Sequence, residues 1–165
     1  MQMKQQKVYM LAGIPGSGKS TWAKQQIAEH GGVWCSRDAV RFSMVAEDEP
    51  YFSKEDAVFN SWISQILKAI ESGEDVYIDA THINPGSRRK VLRWLRMKKS
   101  TLKNATLYGV NFLIPKEVCY MRNSQRTGRE KVPNGVVRNF SMSFTPITTD
   151  EGFDKIIVVH YEGGE

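Results

Sequence analysis

The sequence predicts an α/β fold in which helices flank a doubly wound, mainly parallel sheet. Three observations support this prediction: five short apolar runs suited to buried strands, helical patterns in the stretches between them, and the regular alternation of the two. Such alternation is typical of parallel sheets covered on both faces, whose ligands bind beyond the carboxyl ends of the strands. Functional residues are therefore expected at those strand ends.

The predicted strands are the apolar runs at residues 7–12, 33–35, 76–79, 106–112 and 156–159. The predicted helices span about 19–30, 53–71, 85–98 and 115–124. Gly31 ends the first helix, whereas Ser53 and Asp56 form a capping-box-like start for the second. Pro85 and Pro115 suit the first turns of the last two helices.

Length and composition are those of an ordinary globular protein. The 165 residues, 41% hydrophobic and 25% charged, fit a single domain over 1–165, with no repeat or linker to divide it. No apolar run approaches the ~20 residues that cross a bilayer, and no apolar leader is present, so a cytoplasmic protein is expected. Cys35 and Cys119 lack the spacing of a zinc or redox motif and are expected to be buried. The net charge of +5 is compatible with a polyanionic partner without requiring one.

Residues 13–20 fit the pattern G-x-x-x-x-G-K-[ST] between an apolar strand and an amphipathic helix. Glycines let backbone N–H groups turn inward around phosphate oxygens at the positive end of the helix. The lysine then reaches the β- and γ-phosphates, and the serine hydroxyl ligates Mg²⁺. The pattern predicts a P-loop NTPase-type fold that binds ATP and Mg²⁺. Its candidate nucleotide-binding residues are Gly13, Pro15, Gly16, Ser17, Gly18, Lys19, Ser20 and Thr21, and Ser20 is also a candidate metal ligand.

The third predicted strand ends in Asp79, which is placed like the carboxylate of a Walker B strand. Such a carboxylate holds the magnesium ion or its water, so Asp79 is the second candidate metal ligand. A solvated carboxylate at a strand end fits the same position. Motor ATPases commonly have a glutamate after this aspartate to activate water, whereas Ala80 follows here. The sequence therefore disfavours a motor.

Asp38 and Arg41 follow the second predicted strand, which we expect to lie beside the phosphate loop. Phosphoryl transfer uses a group that accepts the nucleophile's proton and cations around the transferred phosphoryl group. Spaced three apart, the two residues share one helical face if the turn continues as a helix. Asp38 then accepts the proton, and Arg41 orients Asp38 or holds an anionic part of the acceptor. A surface ion pair or a helix cap fits the same spacing.

Four motifs lie within residues 8–140. They are G-I-P-G-S-G-K-S-T-W-A at 13–23, R-D-x-x-R at 37–41, N-P-x-x-R-R at 84–89, and R-N-S-x-R followed by V-P between 122 and 133. Together they resemble the P-loop polynucleotide 5′-kinase family, which includes the kinase domain of T-even phage polynucleotide kinase and bacterial RNA-repair relatives. The resemblance implies transfer of the γ-phosphate of ATP to the 5′-hydroxyl end of DNA or RNA.

The resemblance also implies roles for single residues. Asp38 matches the family's general base, and Arg41 matches the partner that contacts the acceptor strand. Lys19 matches the residue that binds the phosphates and Ser20 the residue that binds magnesium. One departure is the third motif: in the phage enzyme its carboxylate directly precedes a threonine, whereas here a residue separates Asp79 from the threonine.

A small helical lid is implied over about 122–133. Arg126 matches the lid arginine, which closes over the nucleotide and stabilises charge on the γ-phosphoryl group. Arg122 lies one helical turn before it and is a further nucleotide-binding candidate. The phage enzyme continues into a phosphatase domain, and no aspartate-rich motif of that kind is present here, so phosphatase activity is not expected.

A basic stretch at 88–99 predicts where an acceptor strand lies. Its cations carry no acid among them and can attract a polyanionic backbone by counterion release, although an exposed basic face without a partner fits too. The candidate nucleic-acid contacts are Arg41, Thr81, Arg88 and Arg89. His82 is interpreted as a substrate contact or a surface group, and the interleaved apolar residues, with Trp94 among them, are expected to face the sheet.

Two alternatives keep the phosphate loop and change the function. The first is a small-molecule kinase with a nucleoside, sugar or antibiotic acceptor, because such enzymes also pair a P-loop with Asp-x-x-Arg after the second strand. The second is a nucleotide-dependent nucleic-acid-binding switch without transfer. DNA or RNA preference and oligomeric state have no local signature in the sequence.

Overall fold

The structure, a computed structural model, describes residues 4–97 and 102–163. Within these residues five strands form one sheet in the order β2-β3-β1-β4-β5, and every neighbouring pair is parallel. The strands are β1 (Gln6–Ala12), β2 (Val33–Ser36), β3 (Val76–Asp79), β4 (Ala105–Leu113) and β5 (Lys155–His160). The predicted α/β class with a parallel sheet is confirmed.

The same part of the chain contains six α-helices and two short 3-10 turns. The helices are α1 (Lys19–His30), α2 (Arg37–Met44), α3 (Glu55–Glu71), α4 (Pro85–Met97), α5 (Lys116–Ser124) and α6 (Asn134–Ser143). The 3-10 turns are Gly128–Glu130 and Thr149–Glu151. Among the described helices, none combines the length and the apolar character of a membrane span.

The predicted helices are confirmed except at their ends, and α6 was not predicted. The capping-box prediction was wrong, because α3 begins at Glu55 with Lys54 as its N-cap and no side-chain cap. Ser53 lies in a turn, where its N–H donates to Pro50 O at 3.0 Å. The first helical hydrogen bond runs from Val58 N to Lys54 O at 2.8 Å, so Ser53 lies before the helix. The predicted end of the fourth helix, residue 98, lies outside the described residues.

The sheet is covered on both faces, which explains why β1 is apolar from Val8 to Ala12. Val8 and Met10 are fully buried in the larger core, on the side of α3 and α4. Leu11 is fully buried in the second core, on the side of α1. Trp62 of α3 is fully buried and donates from Nε1 to Cys35 O at 2.9 Å, so replacing it with alanine is expected to cost about 3–5 kcal/mol.

The position of β2 differs from the prediction. We expected β2 beside the strand of the phosphate loop, but β3 lies between β1 and β2. Asp79 is in register with Leu11 on one side and with Ser36 on the other. The carboxyl ends of the three strands therefore meet at one edge, and α2 still begins at that edge.

The segment after α6, which no motif explained, is fixed to the sheet. Asn111 of β4 donates from Nδ2 to Ile147 O at 3.0 Å and accepts from Ile147 N at 2.7 Å. Thr145 N donates to Ile83 O at 2.9 Å. These bonds satisfy the buried side-chain amide of Asn111. They also hold residues 145–147 against β4 and against the residues just before α4.

Candidate active site

The phosphate loop follows β1 and depends on its glycines. Gly16 and Gly18 have φ angles of 86° and 91°, a region that strains residues with a Cβ. A Cβ on Gly16 would also lie 2.5 Å from Cys119 O of α5. Gly13 N donates to Thr81 O at 3.0 Å, so the loop is tied to the end of β3. Packing on both sides therefore fixes its shape.

Lys19 is buried at the mouth of this loop. Its ammonium donates to Gly13 O at 2.9 Å and to Ile14 O at 3.1 Å. Burial lowers its pKa, and the charges of Asp79 and Asp38 act in the opposite direction. The Oγ of Ser17 is buried without a hydrogen-bond partner among the described residues. A buried ammonium and an unpartnered hydroxyl at the N-terminus of α1 fit the phosphates of a nucleotide.

Ser20 and Asp79 lie together, as the sequence predicted for a metal site. The hydroxyl of Ser20 donates to Asp79 Oδ2 at 2.7 Å, and Trp34 Nε1 donates to the same oxygen at 2.8 Å. Both candidate ligands present oxygen, the donor that Mg²⁺ prefers. The described residues contain no group of three or more His, Cys, Asp or Glu able to hold a metal by themselves. One carboxylate and one hydroxyl fit Mg²⁺ that is bound mainly through a nucleotide's phosphates.

Asp38 and Arg41 do share a helical face, because the turn after β2 continues as α2. Ser36 starts that helix, and its Oγ accepts from Ala39 N at 3.1 Å. The carboxylate of Asp38 is 65% exposed, and it accepts hydrogen bonds from Arg41 Nη1 and, at 3.2 Å, from Tyr51 Oη. An exposed carboxylate with an oriented lone pair can accept a proton from an incoming hydroxyl.

Glu55 is a functional candidate that the sequence analysis missed. It accepts from Arg41 Nε at 2.6 Å and Nη2 at 3.0 Å, and from Arg37 Nη2 at 3.1 Å. The hydrogen bond from Arg41 is the main cause that lowers the pKa of Glu55. Burial alone lowers the pKa of Arg41, but the Glu55 bond and nearby negative groups outweigh it and raise that pKa overall.

The contacts of Arg41 bear on its predicted role. Its side chain is only 7% exposed, and its guanidinium is shared by Glu55, Asp38 and Tyr51. Of the two roles expected for Arg41, the geometry favours orienting Asp38. The other role, a contact to the acceptor strand, has little exposed guanidinium surface to use.

The predicted lid segment, residues 122–133, lies against both the phosphate loop and α2. Arg122 Nη1 donates to Gly16 O at 3.3 Å. Asn123 is fully buried and closes the segment on itself, accepting from Val132 N at 2.9 Å and donating to Val132 O. At its far end Arg129 donates to Phe42 O at 3.3 Å and to Val45 O. The segment therefore joins the two halves of the site.

A cleft of about 610 Å³ opens beside the phosphate loop. Trp22 and Phe112 give it aromatic walls, and Arg122 and Arg126 border it on the lid side. Tyr161, directly after β5, completes the wall and lies with its ring 5.8 Å from the guanidinium carbon of Arg122. Both predicted lid arginines therefore border one cavity of nucleotide size. The contribution of Tyr161 had no motif that could reveal it.

The structure contradicts the prediction that Arg88 contacts a nucleic-acid strand. It is 0% exposed, with Nε and Nη2 bound to Glu151 at 2.7 and 3.0 Å. Nη1 donates to His82 O and Thr145 O, each at 2.8 Å. The guanidinium fork is used inside the protein, so the predicted strand contact was wrong and Arg88 instead anchors the segment before β5.

His82 is a second correction, since it is neither a surface group nor exposed to a substrate. It is 3% exposed, and its Nδ1 lies 2.5 Å from Leu11 O. A carbonyl oxygen only accepts, so Nδ1 carries the proton. Burial lowers the pKa of His82 to about 4, so the ring is neutral near pH 7. Its φ angle of 45° is the only positive one outside glycine among the described residues.

The outer face of α4 keeps its cations exposed. Arg89, Arg93 and Arg96 border a shallow depression there together with Met97. Trp94 was expected to face the sheet, but it is 42% exposed. Lysines 98 and 99, which the predicted basic stretch includes, lie outside the described residues. Thr81, the remaining predicted contact, is half-buried, and its carbonyl is engaged by the phosphate loop.

Comparison with known proteins identifies one family and a shared fold. A family model described as an AAA domain matches residues 8–147, which is most of the chain. The crystal structure of a fungal RNA kinase superposes with a TM-score of 0.71 at 17% identity, covering 100% of this chain and 78% of that chain. A sugar kinase from Janibacter sp. HTCC2649 superposes with a TM-score of 0.63 at 18% identity, covering 95% and 86%.

A third similar structure is a chain of the Pnkp1/Rnl/Hen1 RNA repair complex. Its TM-score is 0.65 at 23% identity, and the match covers 86% of this chain and 45% of that chain. At these identities the three structures show a common P-loop kinase-like fold, and they differ in the acceptors that their names state.

Proposed function

This chain belongs to the AAA-domain family, and we propose that it is a phosphotransferase that moves the γ-phosphate of ATP to the 5′-hydroxyl end of DNA or RNA. One observation carries the proposal. Asp38, oriented by Arg41, lies in the first turn of α2, which begins at the same sheet edge at which the phosphate loop follows β1. A kinase needs this combination of a phosphate cradle and a facing carboxylate, whereas a binding switch does not.

In the proposed reaction the 5′-oxygen of the acceptor attacks the γ-phosphorus of ATP. The hydroxyl proton passes to a carboxylate oxygen of Asp38 as the new P–O bond forms. The bond between the γ-phosphorus and the β,γ-bridging oxygen breaks, and ADP leaves with that electron pair. Arg41 and Tyr51 hold the carboxylate toward the acceptor while Glu55 balances the guanidinium.

The phosphates lie among positive groups in this proposal. Lys19 binds the β- and γ-phosphate oxygens, and Arg126 and Arg122 approach from the lid side of the cleft. Ser20 and Asp79 are the residues that hold Mg²⁺. When bound, Mg²⁺ offsets phosphate charge.

Two features favour a polynucleotide acceptor. The outer face of α4 presents Arg89, Arg93 and Arg96 without an intervening acid, which suits a polyanionic backbone. The fold is also that of a fungal RNA kinase and of a chain from an RNA repair complex.

A small alcohol is the second candidate acceptor. The same fold occurs in a sugar kinase at nearly the same identity as in the RNA kinase. Asp38 can serve either acceptor, because its exposed carboxylate stands at an open edge of the site.

Labelled-phosphate transfer tests the proposal. The full chain is incubated with γ-labelled ATP and Mg²⁺, and with either short 5′-hydroxyl DNA and RNA oligomers or a panel of nucleosides, sugars and sugar acids. We expect labelling of the oligomers and at most weak labelling of the panel. Asp38→Asn is expected to lower transfer by ~100-fold or more without weakening ATP binding.

Asp56→Asn is the matched control, because Asp56 is also an exposed carboxylate in the first turn of a helix. It is expected to keep full activity. Labelling of the small alcohols alone would overturn the polynucleotide acceptor. Strand binding that depends on ATP but proceeds without any transfer would support the switch.

A further inference from the structure

The turn between α2 and α3 places two aromatic rings next to the reactive carboxylate. Tyr51 Oη donates to Asp38 Oδ1 at 3.2 Å. The ring of Phe52 meets that of Tyr51 edge to face, with centroids 4.7 Å apart and planes at 84°. Tyr51 is half-buried, whereas Phe52 is 64% exposed. The exposed phenyl ring of Phe52 is therefore separated from Asp38 only by the side chain of Tyr51.

This exposed ring sits on an anchored turn. Ser53 N donates to Pro50 O at 3.0 Å, and Lys54 Nζ donates to Met44 O at 2.9 Å. The guanidinium carbon of Arg41 lies 4.7 Å from the Tyr51 ring centre and 5.4 Å from that of Phe52. The ring is thus presented in a fixed place, and a ligand that stacks on it need not order the turn first.

The chemistry of this corner favours a flat aromatic ligand. Arg41 is already paired with Glu55 and Asp38, so its charge is balanced within the corner. What it offers is the face of a phenyl ring beside an acceptor-binding carboxylate. Every nucleobase has a π-face that stacks on such a ring, independent of its sequence.

We propose that Phe52 stacks on the base of the terminal nucleotide whose 5′-hydroxyl faces Asp38. The inference rests on the proposed polynucleotide function and names the residue that recognises the end of the strand. Because stacking uses no base edge, the site accepts any of the four bases and does not distinguish DNA from RNA. It does distinguish an end that carries a base from one that lacks it.

The test compares two 5′-hydroxyl oligonucleotides that differ only in the first nucleotide, which is either normal or abasic. The wild-type chain is expected to show the lower KM for the normal strand. Phe52→Ala is expected to raise that KM by about 5- to 100-fold while the KM for the abasic strand and for ATP stays unchanged. Phe52→Trp, which keeps a stacking face, is expected to retain the difference between the two strands.

The controls separate stacking from loss of an apolar side chain. Phe52→Leu keeps apolar bulk without a π-face and is expected to behave like Phe52→Ala. Met142→Ala removes another exposed apolar side chain, on α6, and is expected to change neither KM. Thermal unfolding of each variant checks that the fold is retained.

The outcomes separate a failure of the stacking inference from a failure of the proposed kinase function. If wild-type chain phosphorylates both strands with equal KM, or if Phe52→Ala raises both KM values alike, stacking is overturned and the polynucleotide kinase stands. If wild-type chain phosphorylates no 5′-hydroxyl strand, the proposed function fails and the stacking role fails with it.

Discussion

Arg41 binds Glu55 through two hydrogen bonds, from Nε to Oε1 at 2.6 Å and from Nη2 to Oε2 at 3.0 Å. Glu55 opens α3, and Arg41 lies on α2, so this ion pair joins the two helices that flank the turn carrying Tyr51. Since Arg41 also binds Asp38, the position of the proposed base depends on a carboxylate in another helix. We therefore expect Glu55 to position Asp38 through Arg41.

The first prediction concerns Glu55→Gln. The amide cannot balance the buried guanidinium, and Arg41 then turns toward Asp38 and misorients it. We expect kcat to fall by about 10-fold with KM for ATP unchanged, and the free energy of unfolding to fall by about 1–3 kcal/mol. Initial rates at varied ATP separate the two constants. Equal effects from Glu29→Gln, an exposed carboxylate on α1, would remove the positioning role.

The same pair sets a pH dependence. Arg41 lowers the pKa of Glu55 below its ordinary 4.5, so the pair stabilises the folded state above that pH and is lost as pH falls through the lowered value. The stability difference between wild type and Glu55→Gln should therefore shrink when unfolding is measured below pH 4.5 rather than at pH 7. A difference that stays constant would show that the ion pair is not its source.

The second prediction concerns Asp79→Asn. Asp79 accepts from Ser20 and Trp34 through one oxygen. The amide oxygen of asparagine has two lone pairs and can accept both bonds, but it carries no charge for Mg²⁺. We expect half-saturation by Mg²⁺ to need about 10- to 100-fold more metal, with little change in the melting temperature. Calorimetric binding of ATP with and without Mg²⁺ gives a readout besides activity. Unchanged metal dependence would exclude Asp79 as a ligand.

Sequence patterns gave most of the fold and the parts of the site that are local in the chain. The phosphate loop has its signal within eight residues, and Asp38 and Arg41 are three apart, so both could be predicted. Strand order has no such signal, which is why β2 was expected beside β1. The spacing of apolar residues shows which side of a strand or helix is buried, but it does not show which other element packs against that side.

Pairings between distant residues explain the remaining errors. Arg88 resembles a surface cation in a basic stretch, but its partner Glu151 lies 63 residues away and draws it into the interior. Glu55 lies 14 residues from Arg41 on a different helix, so no helical spacing links them. Tyr161 joins the cleft only because β5 pairs with β4.

The third prediction concerns Arg129→Ala in the predicted lid segment. Arg129 donates to Phe42 O and Val45 O at the end of α2, and its guanidinium carbon lies 4.8 Å from the Phe42 ring centre. Without these contacts we expect the segment to be held less firmly, so that Arg126 is less well placed for its proposed contact with the nucleotide. We expect KM for ATP to rise about 5- to 10-fold, a loss of roughly 1 kcal/mol, with global stability nearly unchanged.

Hydrogen exchange across residues 122–133 should become faster in that variant while exchange in β1 and β4 stays the same. Arg138→Ala on α6 removes an exposed arginine from the adjoining helix and serves as the control. If both variants raise KM alike, the effect is one of general charge and the anchoring role of Arg129 is wrong.

The last prediction uses the burial of His82. Burial lowers its folded-state pKa to about 4, and the charges of Lys19, Arg37 and Arg88 act in the same direction. The unfolded chain has the ordinary value of 6.5, so between pH 6.5 and 4 the unfolded state binds more protons and stability falls as the pH falls. The loss of stability attributable to this one ring is roughly 3 kcal/mol across that range.

The variant His82→Asn tests this, because asparagine tolerates a positive φ and its amide can donate to Leu11 O. Its free energy of unfolding, measured with urea between pH 7 and pH 4, should depend less steeply on pH than that of the wild type. His160→Asn, at an exposed position, should leave that pH dependence unchanged. Carboxylates titrate in both chains, so only the difference between wild type and His82→Asn reports on the ring. If the free energy of unfolding depends on pH equally in the two chains, protonation of His82 does not contribute to stability and the prediction is wrong.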